Sequence, residues 1–281
     1  MENSNNNPLS KYFRQPAIYL RLPSDGQYWP QSALEMPINR ELPVYPLTTK
    51  DEIILRTPDA LLNGSGVVEV IQSCVPNILD AWQIPSIDVD AILIAIRIAS
   101  YGQSMDMETD CPHCNHKNDH ELDLQRALGS IKCPTFNKVD VKDLKIKLKP
   151  QAYFTANKEN SIEFAEQKMR QALEMSDIDQ ALRASELAKS LERLIDISIE
   201  TLTDSTAYIE LPDGTMVSDH EHIKAFYQNS ERSVIGTLQA ELARINVDGG
   251  IEPAAVVCEE CKGEYKIPVL FDYARFFGVG S

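Results

Sequence analysis

Two Cys-x-x-Cys pairs are the residues of this sequence whose types and spacing favour chemistry. Cys111 and Cys114 lie in DCPHCNHK, and Cys258 and Cys261 lie in VCEECKGE. A turn of this form brings two thiolates within reach of one ion, and two such turns complete a tetrahedral shell with Zn–S distances of about 2.3 Å. The spacing therefore predicts a structural Zn²⁺ site with these four cysteines as its ligands.

The interval between the two pairs is far longer than the loop of a simple zinc ribbon, since residues 115–257 separate them. Alternating segments flank each pair, and Lys262-Gly263 follows the second pair, as in many ribbons. We therefore expect a zinc ribbon that is split by an insertion. The alternatives are two unrelated turns, or buried cysteines that pair only in the sequence. A thioredoxin-like role is disfavoured because CPHC lacks a βαβ setting.

Other candidate ligands are weaker. His113 and His116 could replace a thiolate, but with four cysteines available we expect them to be exposed loop residues. Cys74 and Cys133 are expected to be small core side chains or incidental thiols. A closed shell of four thiolates leaves no position for a reactive water, so such an ion would cross-link the chain.

Motifs of enzymes are not convincing in this sequence. NGSGVV, residues 63–68, lacks the Gly-Lys-Ser/Thr of a phosphate-binding loop. DHEH, residues 219–222, contains possible metal ligands, but Asp219 stands where a helix starts and is better explained as its cap. No nucleophile with a neighbouring base and no persuasive pair of carboxylates is evident. The sequence therefore predicts a protein that is not an enzyme.

The charge and hydrophobicity of the sequence limit the classes of partner that the protein is expected to bind. The 281 residues include 42 acidic and 27 basic side chains, for a formal net charge of −15. Such a surface repels phosphate backbones, so nucleic acid is an unfavourable ligand. The longest apolar run, residues 91–100, is broken by Arg97 and is too short to cross a bilayer. The polar amino terminus is unlike a signal peptide. We expect a cytoplasmic protein with reduced thiols and no membrane contact.

The elements that must position the cysteines predict an α+β fold: a mainly helical body with short antiparallel strands and a split four-cysteine zinc ribbon. Residues 1–10 are expected to be a disordered tail because they are polar and carry almost nothing to bury. The expected units are 11–104, a Pro-rich extended segment plus a helical block; 105–150 with 251–281, the ribbon; and 151–250, an inserted helical region with a hairpin.

Local patterns predict the ends of several helices. Thr48 or Thr49 starts one helix, and Asp88 or Asp90 starts the buried helix that contains AILIAIRIASYG. Gly64 or Gly66 ends a short helix that begins near Pro58.

Residues 138–150 alternate like one half-buried strand. Two antiparallel helices fill residues 157–203, and Ser176 or Asp177 caps the second of them. A hairpin then turns at Pro212-Asp213-Gly214, Asp219 caps the next helix, and the last helix ends at Gly249-Gly250.

The series YPLTTKDEIILRTPDALLNGSGVVEVIQSCVPN, DVDAILIAIRIASYG and CPHC resembles the T-even-type bacteriophage baseplate family, the central-hub or hub-assembly proteins of contractile-tailed phages. The resemblance is strongest over residues 42–124, weaker through the helical middle, and returns in the last 30 or so residues with FDYARFF. It implies a non-enzymatic protein whose partners are other baseplate hub and tail proteins. It implies a location in the host cytoplasm during assembly and, for a hub component, in the virion tail baseplate. Zinc is not a uniform property of that family.

Three hypotheses follow. The first is a structural or assembly, chaperone-like, protein of a baseplate hub that acts through protein contacts. Exposed aromatic residues could anchor such contacts or simply close the local core: Tyr28, Trp29, Phe276 and Phe277. The second is a zinc-ribbon regulatory protein that binds nucleic acid or a polymerase. The third is an enzyme such as a peptidoglycan hydrolase, which the closed cysteine set disfavours.

Overall fold

A computed structural model describes residues 8–57, 64–175 and 180–269 of the chain. The α-helices in these ranges are α1 Thr49–Leu55, α2 Ser65–Cys74, α3 Ser86–Tyr101, α4 Leu124–Ser130, α5 Tyr153–Met175, α6 Gln180–Asp204, α7 His220–Gln228 and α8 Arg232–Gly249. The strands are β1 Ile18–Leu20, β2 Leu42–Val44, β3 Ser104–Asp110, β4 Lys117–Asp123, β5 Lys138–Val141, β6 Leu144–Leu148, β7 Thr206–Glu210, β8 Met216–Val217, β9 Ala254–Val257 and β10 Glu264–Ile267. Every strand pair is antiparallel, so the α+β prediction is confirmed.

Several predictions concern residues outside the described ranges. They are the disordered tail over residues 1–7, the short helix at 58–63, the cap at Ser176 or Asp177, and the aromatic residues Phe276 and Phe277.

The first hydrophobic cluster surrounds α3, whose residues 91–98 are all buried. The small sheet β1–β2 contributes Leu20, Leu42 and Val44 to this cluster. A helix that is apolar on every side must be covered on every side, and α2 together with the Pro-rich segment supplies the cover. Two stretches of the predicted Pro-rich extended segment thus pair with each other as β1 and β2.

The start of α3 differs from the prediction. The helix begins at Ser86 after Pro85, so Asp88 lies inside the first turn instead of capping it. The Asp88 carboxylate is fully buried and accepts hydrogen bonds from the backbone and hydroxyl of Ser24 and from the Trp29 indole. Asp88 therefore holds the Pro-rich segment on α3, a tertiary role that a local capping rule does not reveal.

Hydrogen bonds from polar side chains hold the segment before α2 in place. Thr48 caps α1 in a reciprocal capping box with Asp51, which confirms the predicted start. The Arg14 guanidinium lies beside this capping box. It donates to the carbonyls of Pro46 and Ser73, at 2.6 and 2.7 Å. Gly64, with φ of 76°, precedes α2 as its amino-terminal cap, so this glycine begins the following helix.

The second cluster lies between a four-stranded sheet, in the order β5-β6-β7-β8, and the helices α6, α7 and α8. Residues 138–150, predicted as one strand, form the hairpin β5–β6 instead. Lys142 has φ of 55°, which opens a two-residue turn between Val141 and Leu144. Neither Gly nor Asn marks this turn, so the alternation across it looked continuous. The predicted hairpin β7–β8 is confirmed.

The four-stranded sheet joins segments that we had placed in different units. Strand β6, from the part assigned to the ribbon, pairs with β7, from the part assigned to the insertion. Ile131 packs in the first cluster and Phe136 in the second, so the chain passes between the clusters within residues 131–136. The division into domains stays a prediction, and this sheet favours an upper boundary near residue 131 over one at 150.

Helices α5 and α6 form the predicted antiparallel pair. Gln151, just before α5, donates to the carbonyl of Thr201 near the end of α6, and Arg193 donates to Glu166 further along both helices. No helix among residues 8–57, 64–175 and 180–269 combines the length and apolar character needed to cross a membrane.

Candidate metal centre

The hairpin β3–β4 holds the first cysteine pair at its tip. The two strands stay in register to the pair Asp110–Lys117, and the chain then turns within residues 111–116. The Cys111 N–H donates to the carbonyl of His116, and the Asn115 N–H donates to the carbonyl of Cys111. Asn115 adopts φ of 56°, a left-handed conformation that Asn tolerates better than most residues.

The hairpin β9–β10 repeats this geometry around the second pair. The Cys258 N–H donates to the carbonyl of Gly263, the Lys262 N–H donates to the carbonyl of Cys258, and Lys262 has φ of 58°. A Cβ atom on Gly263 would lie 2.9 Å from the His113 ring and 3.3 Å from the Cys261 sulfur. Gly263 is therefore explained by the close approach of the two turns, whereas Lys262 has the left-handed conformation.

The two turns bring four sulfur atoms together across the fold. The Sγ atoms of Cys111 and Cys261 lie 3.7 Å apart and those of Cys114 and Cys258 lie 3.6 Å apart, with all four within 4.8 Å of one another. Tetrahedral zinc with Zn–S bonds of about 2.3 Å has sulfur–sulfur edges of about 3.8 Å. A disulfide needs about 2.05 Å. The spacing thus fits a metal shell and excludes disulfides in this arrangement.

The thiols of this cluster have opposed pKa shifts. Burial raises the pKa of Cys258, but N–H groups of its own turn donate to the sulfur and, with the neighbouring thiols, bring the pKa down to about 6. The backbone of His116 lowers the pKa of Cys114, yet burial and the other three thiols raise it to about 12. The two sulfurs therefore differ, since the donors around Cys258 favour its thiolate and the surroundings of Cys114 favour its thiol.

Asn118 joins the two turns and was missed in the sequence. Its side chain is buried, with Nδ2 donating to the carbonyl of His116 at 3.0 Å and Oδ1 accepting from the Glu259 N–H at 2.8 Å. Tyr265 makes a second bridge, since its hydroxyl lies 2.9 Å from both Thr109 Oγ1 and His120 Nε2. A polar residue at an inward position of β4 was the available signal for Asn118.

The remaining thiols and histidines lie elsewhere. His113 and His116 are exposed, as expected, and the His113 ring lies 3.3 Å from the Glu264 carbonyl. Cys74 is buried in the first cluster, and this burial raises the pKa of its thiol to about 12. Cys133 is half-buried and contacts the carbonyl of Pro134.

A second polar group lies at the start of α7. Asp219 caps this helix by accepting from the His222 N–H, as predicted. The His220 Nε2 atom lies 3.1 Å from Asp204, and Glu200 is nearby, so the DHEH motif does meet carboxylates. Lys224 donates to Glu200 at 2.7 Å and already supplies this group with a cation.

A family model described as T4 bacteriophage base plate protein matches residues 29–278 of the chain. Comparisons with curated proteins and with solved structures found no match. The matched range contains both cysteine pairs, the second hydrophobic cluster, most of the first one and the helical middle, where the resemblance seen in the sequence was weaker. Because the match spans most of the 281 residues, the chain belongs to the T4 bacteriophage base plate protein family.

Proposed function

We propose that this chain is a structural or assembly protein of a contractile phage tail baseplate hub and that it acts through contacts with other hub and tail proteins. The family match over residues 29–278 is the observation that carries this proposal. Two hydrophobic cores and a cysteine cluster that brings two hairpins together support this proposal, because a scaffold protein needs a fold that is held at several points.

We propose further that the four-cysteine cluster binds a structural Zn²⁺ ion. Sulfur–sulfur distances of 3.6 and 3.7 Å and the donor set support this metal, because zinc accepts four thiolates in tetrahedral geometry. When bound, zinc would supply a cross-link between the hairpins. Leu122 of β4 and Val269, two residues after β10, both belong to the first cluster, so the bound ion would tie residues far apart in sequence to one core.

Enzymatic activity is not part of the proposal. All four thiolates of the cluster would be used as ligands, which leaves no coordination position for an activated water. The nucleic-acid alternative is also disfavoured by charge, since two lysines of β5 and β6 lie beside the carboxylate of Glu210. Lys138 donates to Glu210, and Lys145 lies opposite Glu210 in the sheet. The net charge of −15 also disfavours binding to nucleic acid.

Quantitative mass spectrometry of purified particles of the phage that encodes the chain tests the role. The chain is measured against the tail-tube protein in particles and in infected cells. A fixed small number of copies per particle supports a hub component in the virion. Abundance in infected cells with absence from particles supports an assembly factor of the host cytoplasm. Copurification only with proteins foreign to the tail would contradict both roles.

A further inference from the structure

An apolar groove runs between α6 and α8 on the far side of the second cluster. Its volume is about 730 Å³ and it opens to solvent. The buried ring of Tyr227 lies at its floor, Leu191 and Ile195 form the α6 wall, and Ile235 and Gly236 belong to the α8 wall.

The α6 wall carries an exposed stripe of apolar side chains, as on a helix whose apolar face packs against another protein. Leu191 and Ile195 are 56% and 59% exposed, and Ala184 and Ala188 continue the same exposed stripe toward the start of α6. Spacings of four, three and four residues keep these side chains on one face. The opposite face of α6 is already packed, with Ser190 and Ile197 buried. The helix therefore carries a second apolar face that the described part of the chain does not cover.

Gly236 in the α8 wall is not explained by any contact with residues that the structure describes. It is exposed, its backbone is helical, and a Cβ atom built there meets nothing within 4 Å. Glycine in a helix interior destabilises the helix by roughly 1 kcal/mol relative to alanine. A glycine in the wall of an apolar groove is favoured when another backbone must approach closely, because no side chain then stands between them.

Charge selects among the possible occupants. Glu192 is exposed beside the apolar stripe of α6 and, among the described residues, is not paired in a salt bridge, whereas Arg232 lines the groove at the start of α8. A second copy of this chain would bring the same acidic flank and a net charge of −15 against it. A partner with basic residues beside its apolar face would instead complement this flank.

We propose that this groove binds one amphipathic helix from a different baseplate protein, with basic residues on the side that faces α6. This inference rests on the proposed function and names a surface for it. Residues 191–199 of α6 span about 12 Å, and a helix presents the apolar positions i, i+4 and i+7 over about 10.5 Å. The groove therefore fits a helix anchored by three side chains, the usual form of helix-in-groove recognition.

Site-specific photo-crosslinking in infected cells tests the proposal. A photoreactive residue replaces Gln239, which lines the groove, and in a matched protein it replaces Gln125, an exposed glutamine on α4. The crosslinked peptides are sequenced by mass spectrometry. We expect Gln239 to capture an amphipathic segment with lysines or arginines from another baseplate chain, and Gln125 not to capture that segment.

The variant Gly236→Ala separates folding from docking, and Gly129→Ala is its matched control because a Cβ at Gly129 also meets nothing within 4 Å. Each change should raise the melting temperature of the isolated chain, by about 2 °C, because alanine favours helix. Gly236→Ala should reduce the crosslink from Gln239 at least tenfold, whereas Gly129→Ala should leave its yield unchanged.

Two results would overturn the inference. One is a crosslink from Gln239 to peptides of this same chain, either a second copy or its own residues 270–281. The other is an unchanged crosslink yield in Gly236→Ala. If photoreactive residues elsewhere on the surface still capture baseplate proteins, the proposed function stands and only the groove assignment fails. If no position captures a baseplate protein, the proposed function fails as well.

Discussion

Replacing Cys111 by serine removes one sulfur from the centre and should empty it of zinc. Cys111 is fully buried, and its sulfur lies 3.7 Å from that of Cys261. Serine oxygen is a much poorer zinc ligand than a thiolate, because its proton is not released near neutral pH. We expect the Cys111→Ser chain to fold with lower stability and without bound metal.

The size of the effect follows from linkage between binding and folding. The site exists only when residues 111–114 and 258–261 meet, so the folded state binds the ion and the unfolded state does not. An ion present at 1,000 times its dissociation constant stabilises the folded state by about 4 kcal/mol. Loss of this contribution is a large share of a typical unfolding free energy of about 5–15 kcal/mol. We therefore expect a loss of about 3–4 kcal/mol for Cys111→Ser in buffer with excess zinc.

Urea unfolding with and without a strong zinc chelator measures this effect. The chelator should lower the midpoint of the wild-type chain to that of Cys111→Ser and should leave the variant unchanged. Cys133→Ser is the matched control, because Cys133 is half-buried and outside the cluster. It should retain zinc and lose less than about 1 kcal/mol. A Cys111→Ser chain that retains zinc, or a wild type indifferent to the chelator, would refute the reasoning.

Three further predictions follow from single contacts. Asn118→Leu leaves the Glu259 N–H without its acceptor and should cost about 2 kcal/mol and speed zinc loss to a chelator, whereas the exposed neighbour change Asp119→Ala should do neither. Asp88→Asn replaces the oxygen that accepts from the Trp29 indole by an NH2 group, which cannot accept, and should cost about 1–3 kcal/mol in urea unfolding at neutral pH. Burial raises the pKa of Asp88 above its ordinary value of 3.8, although hydrogen bonds from Ser24 and Trp29 oppose this shift. The wild type should therefore lose part of its advantage over Asp88→Asn as pH rises from 3.8 through the raised pKa, and a constant difference across this range would contradict the assignment.

The four-cysteine cluster was largely predictable because its signal is local. Each Cys-x-x-Cys pair lies within one hairpin tip, and the alternating residues on both sides already define the strands. The meeting of the two hairpin tips was inferred from chemistry, because two Cys-x-x-Cys pairs typically bind one metal ion together. The contact through Asn118 was not predictable, because it joins β4 to a turn 141 positions away and has no motif of its own.

The fold was predictable where a capping residue or a turn sequence marks the end of an element. Two helix starts, at Thr48 and Asp219, and the hairpin turn at Pro212-Asp213-Gly214 were predicted in this way. It was not predictable where tertiary contacts decide. Asp88 resembles a cap but is a buried acceptor for Ser24 and Trp29.

The aromatic side chains are a further case in which tertiary contacts, and not local sequence, decide the role of a residue. Trp29 packs on the first cluster, which favours the local-core alternative, and the ring of Tyr28 contacts Phe136 edge-on at 5.4 Å. The sheet that joins β6 to β7 depends on pairing between distant segments, which local alternation does not specify.

Zinc K-edge X-ray absorption on the purified chain tests the proposed zinc site, because it identifies and counts the atoms bound to the ion. We expect one zinc per chain surrounded by four sulfur atoms at about 2.3 Å. A shell that contains nitrogen, as with the His113 ring as a ligand, would contradict the closed four-sulfur centre. A metal-free chain with an undiminished melting temperature would contradict a structural metal altogether.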